Sequence, residues 1–315
     1  MSSVAIVGSG LVGRAWAISF ARAGHAVRLW DPVPAACESA RAYVAGVLDE
    51  LARSDLLRGQ APGEVLARIA IADDLAAAVA GAAHIQENTP EDRDTKRAVF
   101  SRIDATADAD AVIASSTSAL LPSSFTEHLA GRQRCLVVHP INPPYLVPAA
   151  EIVPAPWTAP EIVERTRAFL VDAGHQPLVM KRELDGFIMN RLQGALLEEA
   201  FRLVAGGYAS VEDVDAGIRD GLALRWSFMG PFETIDLNAP GGVRDYVDRY
   251  QSIYANIFLE MRHRVDWAGP VLDEVEAERR KALPKEQLGE RQRWRDRRLM
   301  ALAAHKTRSD GEFGK

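Results

Sequence analysis

Short apolar runs alternate with longer segments of helical period through the first half of the chain. Residues 4–7 form the first run, the length of a buried parallel strand. Residues 11–23 carry helical periodicity through Trp16 and Phe20, and Gly24 stands where a helix C′ residue belongs. Residues 27–30 read as the next strand, which Asp31 ends. The pattern then predicts a long helix over 32–57, a turn over 58–63, a strand over 67–72 and a short helix to Val79 capped by Asp73-Asp74. A strand centred on Ile85 ends at Glu87. Thr89-Pro90-Glu91-Asp92 has the form of a helix start, with Thr89 as N-cap and Pro90 at N1, and the helix runs to about Ile103. Further strands are expected over 111–114, 135–138 and 151–156, with a last one over 177–180. Helices are expected over 122–130 and 160–173, the latter stopped by Gly174.

Beyond about residue 185 the pattern changes to helical stripes without strands. Residues 187–204 form an apolar-striped helix with Asn190 and Arg191 in its first turn. Ser210 and Asp213 resemble a capping box, and Pro231 suits position N1. Tyr246, Tyr250, Ile253, Ile257 and Met261 make a stripe suited to a core or a subunit interface. The arginine-rich stretch 279–298 reads as a solvated, salt-bridged helix, and 307–315 as a frayed tail. The expected fold is α/β: a Rossmann-type, doubly wound, mainly parallel sheet over 1–185, then an all-α C-terminal domain over 186–315.

Composition narrows the function classes. The formal charge is −6, which gives nucleic acid or a membrane surface no electrostatic pull. There is no run of about 18 apolar residues and no visible signal peptide. Cys37 and Cys135 sit in apolar segments and read as reduced core thiols of a soluble, cytoplasmic protein. His25, His84, His128, His175, His263 and His305 show no metal-ligand spacing, so no metal is expected.

The chemistry begins with Gly8-Ser9-Gly10-Leu11-Val12-Gly13. Between a strand and a helix, with Asp31 ending the next strand, this loop is a dinucleotide fingerprint. Gly8 serves the tight turn, Gly10 the approach of the pyrophosphate, and Gly13 the packing of helix on strand. Asp31 would accept the ribose hydroxyls and repel a 2′-phosphate, which selects NAD. Ser115 to Ser118 place four hydroxyls at a strand end, suited to touching cofactor or substrate, or simply to making a turn. Glu91 and Lys96 read either as a surface ion pair or as a ligand-contacting pair at the strand ends; the residues alone favour the former. His139-Pro-Ile-Asn142-Pro-Pro-Tyr145 through Glu151 could be a strand, a stiff loop and a return strand. That would set Glu151 beside His139, either as an acid–base dyad or as a buried histidine with a capping carboxylate.

Taken in order, these motifs resemble the 3-hydroxyacyl-CoA dehydrogenase family. The resemblance rests on the glycine loop, Asp31, Ser116-Thr-Ser118, His139-x-x-Asn142-Pro143, Glu151, Gly186-Phe-Ile-Met-Asn190-Arg191 and Gly230-Pro-Phe-Glu233. Ile85-Gln-Glu87, Pro90-Glu91, Pro143-Pro144-Tyr145, Asn190-Arg-Leu-Gln193, Leu224-Arg-Trp226, Leu237-Asn-Ala239 and Trp294-Arg-Asp296 are similar to the branch holding lambda-crystallin and L-gulonate 3-dehydrogenase. The resemblance implies His139 as catalytic base, Glu151 as its partner, and Ser118 and Asn190 at the reacting oxygen, with Asn142 nearby. It also implies Glu91, Lys96 and Ser116 on the cofactor side, and a homodimer through the helical domain. Asn88-Thr89 departs from the family's small or apolar residues there. The implied reaction is NAD-dependent oxidation of the 3-hydroxyl of a small L-3-hydroxy acid, with L-gulonate first. A short-chain 3-hydroxyacyl-CoA substrate, or a non-catalytic NAD-binding protein, are the alternatives. Arg225, a cation in an apolar run, is the candidate clamp for a substrate carboxylate.

Overall fold

The structure is a computed structural model that describes residues 2–314. Its eight strands are β1 (Ser3–Val7), β2 (Ala26–Trp30), β3 (Ile69–Ile71), β4 (His84–Glu87), β5 (Val112–Ser115), β6 (Cys135–Pro140), β7 (Ala149–Pro154) and β8 (Gln176–Val179). They form one sheet in the order β3-β2-β1-β4-β5-β6-β7-β8. Every neighbouring pair is parallel except β6–β7, which is antiparallel. This is the doubly wound sheet the apolar runs predict.

β1, β5 and β6 are buried almost throughout, which is why they read as apolar runs, while the equally buried central β4 carries His84, Gln86 and Glu87. Val4, Ile6, Leu29, Val112, Ala114, Leu136 and Val138 join one core, with Trp16 and Phe20 of the helix Leu11–Arg22. Ala5, Val7, Ile85, Ile113 and Val137 join the other, with Phe100 and Phe125. The helix Leu11–Arg22 ends in a Schellman motif: Gly24 N–H bonds Ala21 O at 3.0 Å and His25 N–H bonds Phe20 O at 3.0 Å.

Register decides what the sheet presents at its edge. Trp30, Val7, Glu87, Ser115 and Val137 form one row across β2, β1, β4, β5 and β6. Asp31, Gly8, Asn88, Ser116 and Val138 therefore follow at the carboxyl edge, and His139 comes one residue later. This is the edge where an open α/β sheet holds its ligand.

Several boundaries differ from expectation. The helix after β4 is Arg93–Thr106, starting beyond Thr89; Asp92 is its cap and accepts from Thr95 N at 2.8 Å. Thr89 is drawn back to Glu87 instead, through its N–H at 2.6 Å and its hydroxyl. The long helix is Pro34–Arg53, and a separate helix, Pro62–Ala67, starts inside the expected turn. The helix expected over 122–130 is Pro122–Thr126.

The chain forms two compact units that divide otherwise than at 185/186. The first runs to Asn190 and takes back Trp294–Glu312; the second is Arg191–Arg293. The returning segment belongs to the helix Leu288–Phe313, so residues 307–313 are helical rather than a frayed tail; Lys315 lies outside the described residues. Met300 is buried in the sheet's core, and Arg297 bonds Glu50 at 2.9 and 3.0 Å. In the second unit Val204, Val211 and Val271 form a small core, and Phe201 stacks on Trp267 at 4.9 Å. The helix Gly242–Glu260 buries no residue, so its stripe is not core in this chain. Among the described residues no helix is long and apolar enough to cross a membrane, and no group of histidine, cysteine and acid side chains could hold a metal.

The first unit also buries histidines that the sequence left without a role. His84 stacks on Phe169 at 4.5 Å, and His175 lies 4.9 Å from Trp16. Burial holds both imidazoles down to about 4, helped by Arg165 near His84 and by Arg22 and Arg58 near His175. Their folded values lie below the unfolded one, so the unfolded chain binds more protons. The stability their neutral forms contribute is complete above pH 6.5 and is lost as pH falls toward about 4. Calorimetric melting across that window should show a steady fall in Tm that His175→Gln reduces; equal slopes in the two proteins would contradict this assignment.

Candidate active site

The site is built along the carboxyl edge of the sheet, beginning with the glycine loop. Gly8 has φ +91°, and a Cβ there would lie 2.9 Å from the Asn88 carbonyl. A Cβ at Gly13 would lie 1.9 Å from Gly8 O, so only glycine lets the helix pack this close. A Cβ at Gly10 would meet nothing within 4 Å. Nothing in the chain itself requires glycine there, and the open space lies at the N-terminus of Leu11–Arg22, where an anion is favoured. Asp31 fixes this loop: Oδ2 accepts from Ser9 N at 2.9 Å and Ser9 Oγ at 3.3 Å, and Oδ1 from Val33 N at 3.0 Å. Leu11 is exposed beside Gly10, and Val12 packs against the core. The open cradle and the carboxylate at the end of β2 fit the pyrophosphate and ribose of a dinucleotide.

Next along the edge is a group the sequence did not reveal. Glu87 and Lys96 are both buried, with Nζ 3.1 Å from each carboxylate oxygen. Glu87 Oε2 also accepts from Ser115 Oγ at 2.5 Å, and Oε1 from Thr89. Lys96 spends its third proton on Thr89 O at 3.3 Å. A buried ion pair persists only when its remaining bonds are made, and here they are. Lys96 is thus neither a surface ion-pair partner nor open to a cofactor, because all three donors are filled inside the protein. The unusual Thr89 is one of the groups that fill the Glu87 carboxylate.

Glu91 has a different task. Its Oε1 accepts from the Thr117 hydroxyl, and from Ser118 N and Ala119 N at 3.1 Å each, while Oε2 stands 3.9 Å from Lys96 Nζ. It therefore anchors the Ser-Thr-Ser turn. Ser116 also departs from its expected role as a direct cofactor contact. Its oxygen accepts from Trp16 Nε1 at 3.0 Å and Gln86 Nε2 at 2.7 Å and donates to Asn88 Oδ1 at 2.8 Å. One proton and two lone pairs are then used, and no hydroxyl capacity is left for a ligand.

At β6 the antiparallel pairing brings a histidine and a carboxylate together. His139 and Glu151 are direct register partners, and Nδ1 lies 2.6 Å from Glu151 Oε2. A carboxylate can only accept, so Nδ1 carries the proton and Nε2 is left as the free base. Glu151 is fully buried, and Oε1 accepts from Ile188 N at 2.6 Å and Met189 N at 2.8 Å. Gly186 and Phe187, both at positive φ, turn the chain so that these successive N–H groups converge on the carboxylate. The buried Phe187 ring lies 5.6 Å from the imidazole. The next residue, Asn190, donates through Nδ2 to Ser118 O at 2.7 Å. One chain of contacts thus runs from His139 through Glu151 and Met189-Asn190 to Ser118.

Two other expected contacts are placed differently. Asn142 is exposed, joined to Pro143 by a cis peptide bond, in the loop between β6 and β7. Arg225 is in the second unit, where Nη1 bonds Asn238 Oδ1 at 3.4 Å. Tyr145, which carries part of the branch resemblance, faces inward: it is buried and shares a hydrogen bond with Tyr43 at 3.1 Å. Its burial raises the hydroxyl pKa and makes it part of the scaffold.

Residues 3–183 match the family model for the 3-hydroxyacyl-CoA dehydrogenase NAD binding domain, and residues 186–268 match that for the C-terminal domain. Lambda-crystallin of Oryctolagus cuniculus is 41% identical over 303 residues, 95% of each chain. L-carnitine dehydrogenase of Pseudomonas sp. is 39% identical over 251 residues, 79% of this chain and 77% of that protein. Among solved structures, an NAD+-dependent 5-formyl-3-hydroxy-2-methylpyridine 4-carboxylic acid 5-dehydrogenase superposes over 100% of both chains with a TM-score of 0.84 and 28% identity. The 3-hydroxyacyl-CoA dehydrogenase of Archaeoglobus fulgidus covers 88% of this chain and 87% of its own, with a TM-score of 0.67 and 28% identity.

The buried Glu87–Lys96 pair gives a stability test that is independent of turnover. Lys96→Met leaves Glu87 charged and unpaired, which should cost about 3–5 kcal/mol of unfolding free energy. Urea denaturation would read this, and a loss below about 1 kcal/mol would show that the pair is not what holds this edge.

Proposed function

The chain belongs to the 3-hydroxyacyl-CoA dehydrogenase family, and on that premise we propose that it oxidises the 3-hydroxyl of a small L-3-hydroxy acid with NAD. The observation that carries this reading is the His139–Glu151 contact at the carboxyl edge, in line with an NAD-binding loop. Nε2 of His139 takes the proton of the substrate hydroxyl. Nδ1–H stays on Glu151, whose buried charge stabilises the imidazolium as it forms. NAD held at the Gly8–Gly13 loop and Asp31 would supply the acceptor for the hydride that leaves C3. Ser118 and the second amide proton of Asn190 orient the oxygen, and their mutual bond fixes the spacing. Of the residues expected to meet NAD beyond the glycine loop, Asp31 and the half-exposed Glu91 stay available to it, while Lys96 and Ser116 are spent inside the protein. Asp31 selects NAD by accepting ribose hydroxyls.

For the substrate, a free acid is favoured over a coenzyme A thioester. L-carnitine is itself a free 3-hydroxy acid, and proteins named L-carnitine dehydrogenase are 40% and 39% identical to this chain over 248 and 251 residues. L-gulonate is the first substrate to test. Arg225 is the clamp for the carboxylate, as a guanidinium binds it bidentately. The exposed Ile253, Tyr254, Ile257 and Phe258 of Gly242–Glu260 support a homodimer formed through the helical unit. The buried Cys37 and Cys135 thiols fit the reducing cytoplasm.

A panel of L-gulonate, 3-hydroxybutyrate, L-carnitine and 3-hydroxybutyryl-CoA, followed by NADH absorbance, tests this. A free acid should be preferred, and Arg225→Ala should raise its KM at least roughly tenfold. Preference for the thioester would overturn the free-acid reading. Binding of NAD without turnover of any member would support a non-catalytic protein.

A further inference from the structure

Gln86 takes no part in the reaction set out above, yet it is fully buried and joins three of the elements that form the site. Its Nε2 donates to Ser116 Oγ at 2.7 Å, on the turn after β5, and to the carbonyl of Val138 at 3.2 Å, the residue before His139. Its Oε1 stands 2.9 Å from His84 Nε2. Oε1 can only accept, so His84 carries its proton on Nε2, and this contact locks the amide in one orientation. Ser116 also takes the Trp16 indole N–H at 3.0 Å, from the helix that follows the glycine loop, and passes its own proton to Asn88 at 2.8 Å. Asn88 Nδ2 closes the circuit on Gln86 O at 2.8 Å.

We propose that Gln86 is a positioning residue for His139, holding the β6 strand end, the Ser-Thr-Ser turn and the dinucleotide helix in one register through this buried circuit. The proposal rests on the reading of His139 as the base. Only an amide meets the requirement: two donors are used, on Ser116 and Val138, and one acceptor, on His84. Glutamate lacks the donors, and a thioether lacks them too and accepts only weakly. The geometry supports the same conclusion from the other side. Gln86 lies one residue before Glu87 and points to the opposite face of β4, so one strand end serves both the ion pair and the circuit. His139 is tied to the Ser118 turn on one side through Glu151 and Asn190, and on the other the backbone before it is held by Gln86. Misplacing a catalytic group by about 1 Å can cost about 100-fold in rate.

Gln86→Met and Ser116→Ala break the circuit at two points with little change of volume. With the best hydroxy acid of the panel, each should lower kcat roughly 10- to 100-fold and leave KM for NAD within about twofold. The primary deuterium isotope effect for substrate labelled at C3 should rise. In the double variant the losses should not add, because both act on one network. The ring-nitrogen NMR signals of His139 should shift in each variant without any cofactor, a readout that does not depend on turnover. Wild-type kcat and unshifted His139 signals in either folded variant would overturn the proposal. So would parallel loss of kcat, NAD affinity and Tm, which marks a purely structural role. If Gln86→Met does not fold, Ser116→Ala decides by the same measurements. If the wild type turns over no member of the panel, the dehydrogenase reading fails, and the His139 shift alone decides the positioning claim.

Discussion

Burying the Glu151 carboxylate constrains everything around it. An unpaired charge in the interior costs several kcal/mol, so both oxygens need partners. One oxygen takes His139 Nδ1 and the other takes the N–H groups of Ile188 and Met189. The first contact requires that β7 run antiparallel to β6 in this register. The second requires the positive-φ turn at Gly186-Phe187 and fixes where the next helix begins. The same carboxylate therefore sets the histidine's tautomer and places Asn190 against Ser118. Hairpin, turn and helix start are three consequences of one charge that needs satisfying.

A second buried charge organises the cofactor side in the same way. Glu87 gathers Lys96, Ser115 and Thr89, and Glu91 gathers the Ser-Thr-Ser backbone. These bonds sort the polar residues of the edge into two groups. Lys96 and Ser116 are fully used inside the protein. Nε2 of His139 and the amide of Asn190 keep capacity for a substrate, and the open space at Gly10 is available to the cofactor. The edge is thus held rigid by the groups that are spent on one another, and His139 Nε2 and Gly10 are not among them.

The βαβ unit was legible in the sequence because its signals are local: an apolar run, glycines at fixed spacing, a helix with its C′ glycine, and an acid at the next strand end. His139 and Glu151 were legible as a pair of readings, since twelve residues with four prolines can return a strand but cannot hold a crossover helix. What escaped was set by tertiary burial. Nothing near Lys96 in sequence shows that Glu87, on a different element, would take its proton donors. Ser116 looked like a ligand contact until Trp16, a hundred residues away, filled its lone pair. The arginine-rich stretch 279–298 is solvated as it reads, but it is split between the helices Pro270–Ala282 and Leu288–Phe313, and just beyond it Met300 enters the sheet's core, because one buried residue per few turns leaves little periodicity to read.

The most direct test of the account is single-turnover NADH formation by Glu151→Gln, measured beside NAD affinity. Glutamine keeps the volume and one acceptor oxygen but removes the charge that stabilises the imidazolium. NAD affinity should stay at the wild-type value while NADH forms roughly 100- to 10,000-fold more slowly. Wild-type rates in a folded Glu151→Gln protein would contradict the assignment of the dyad.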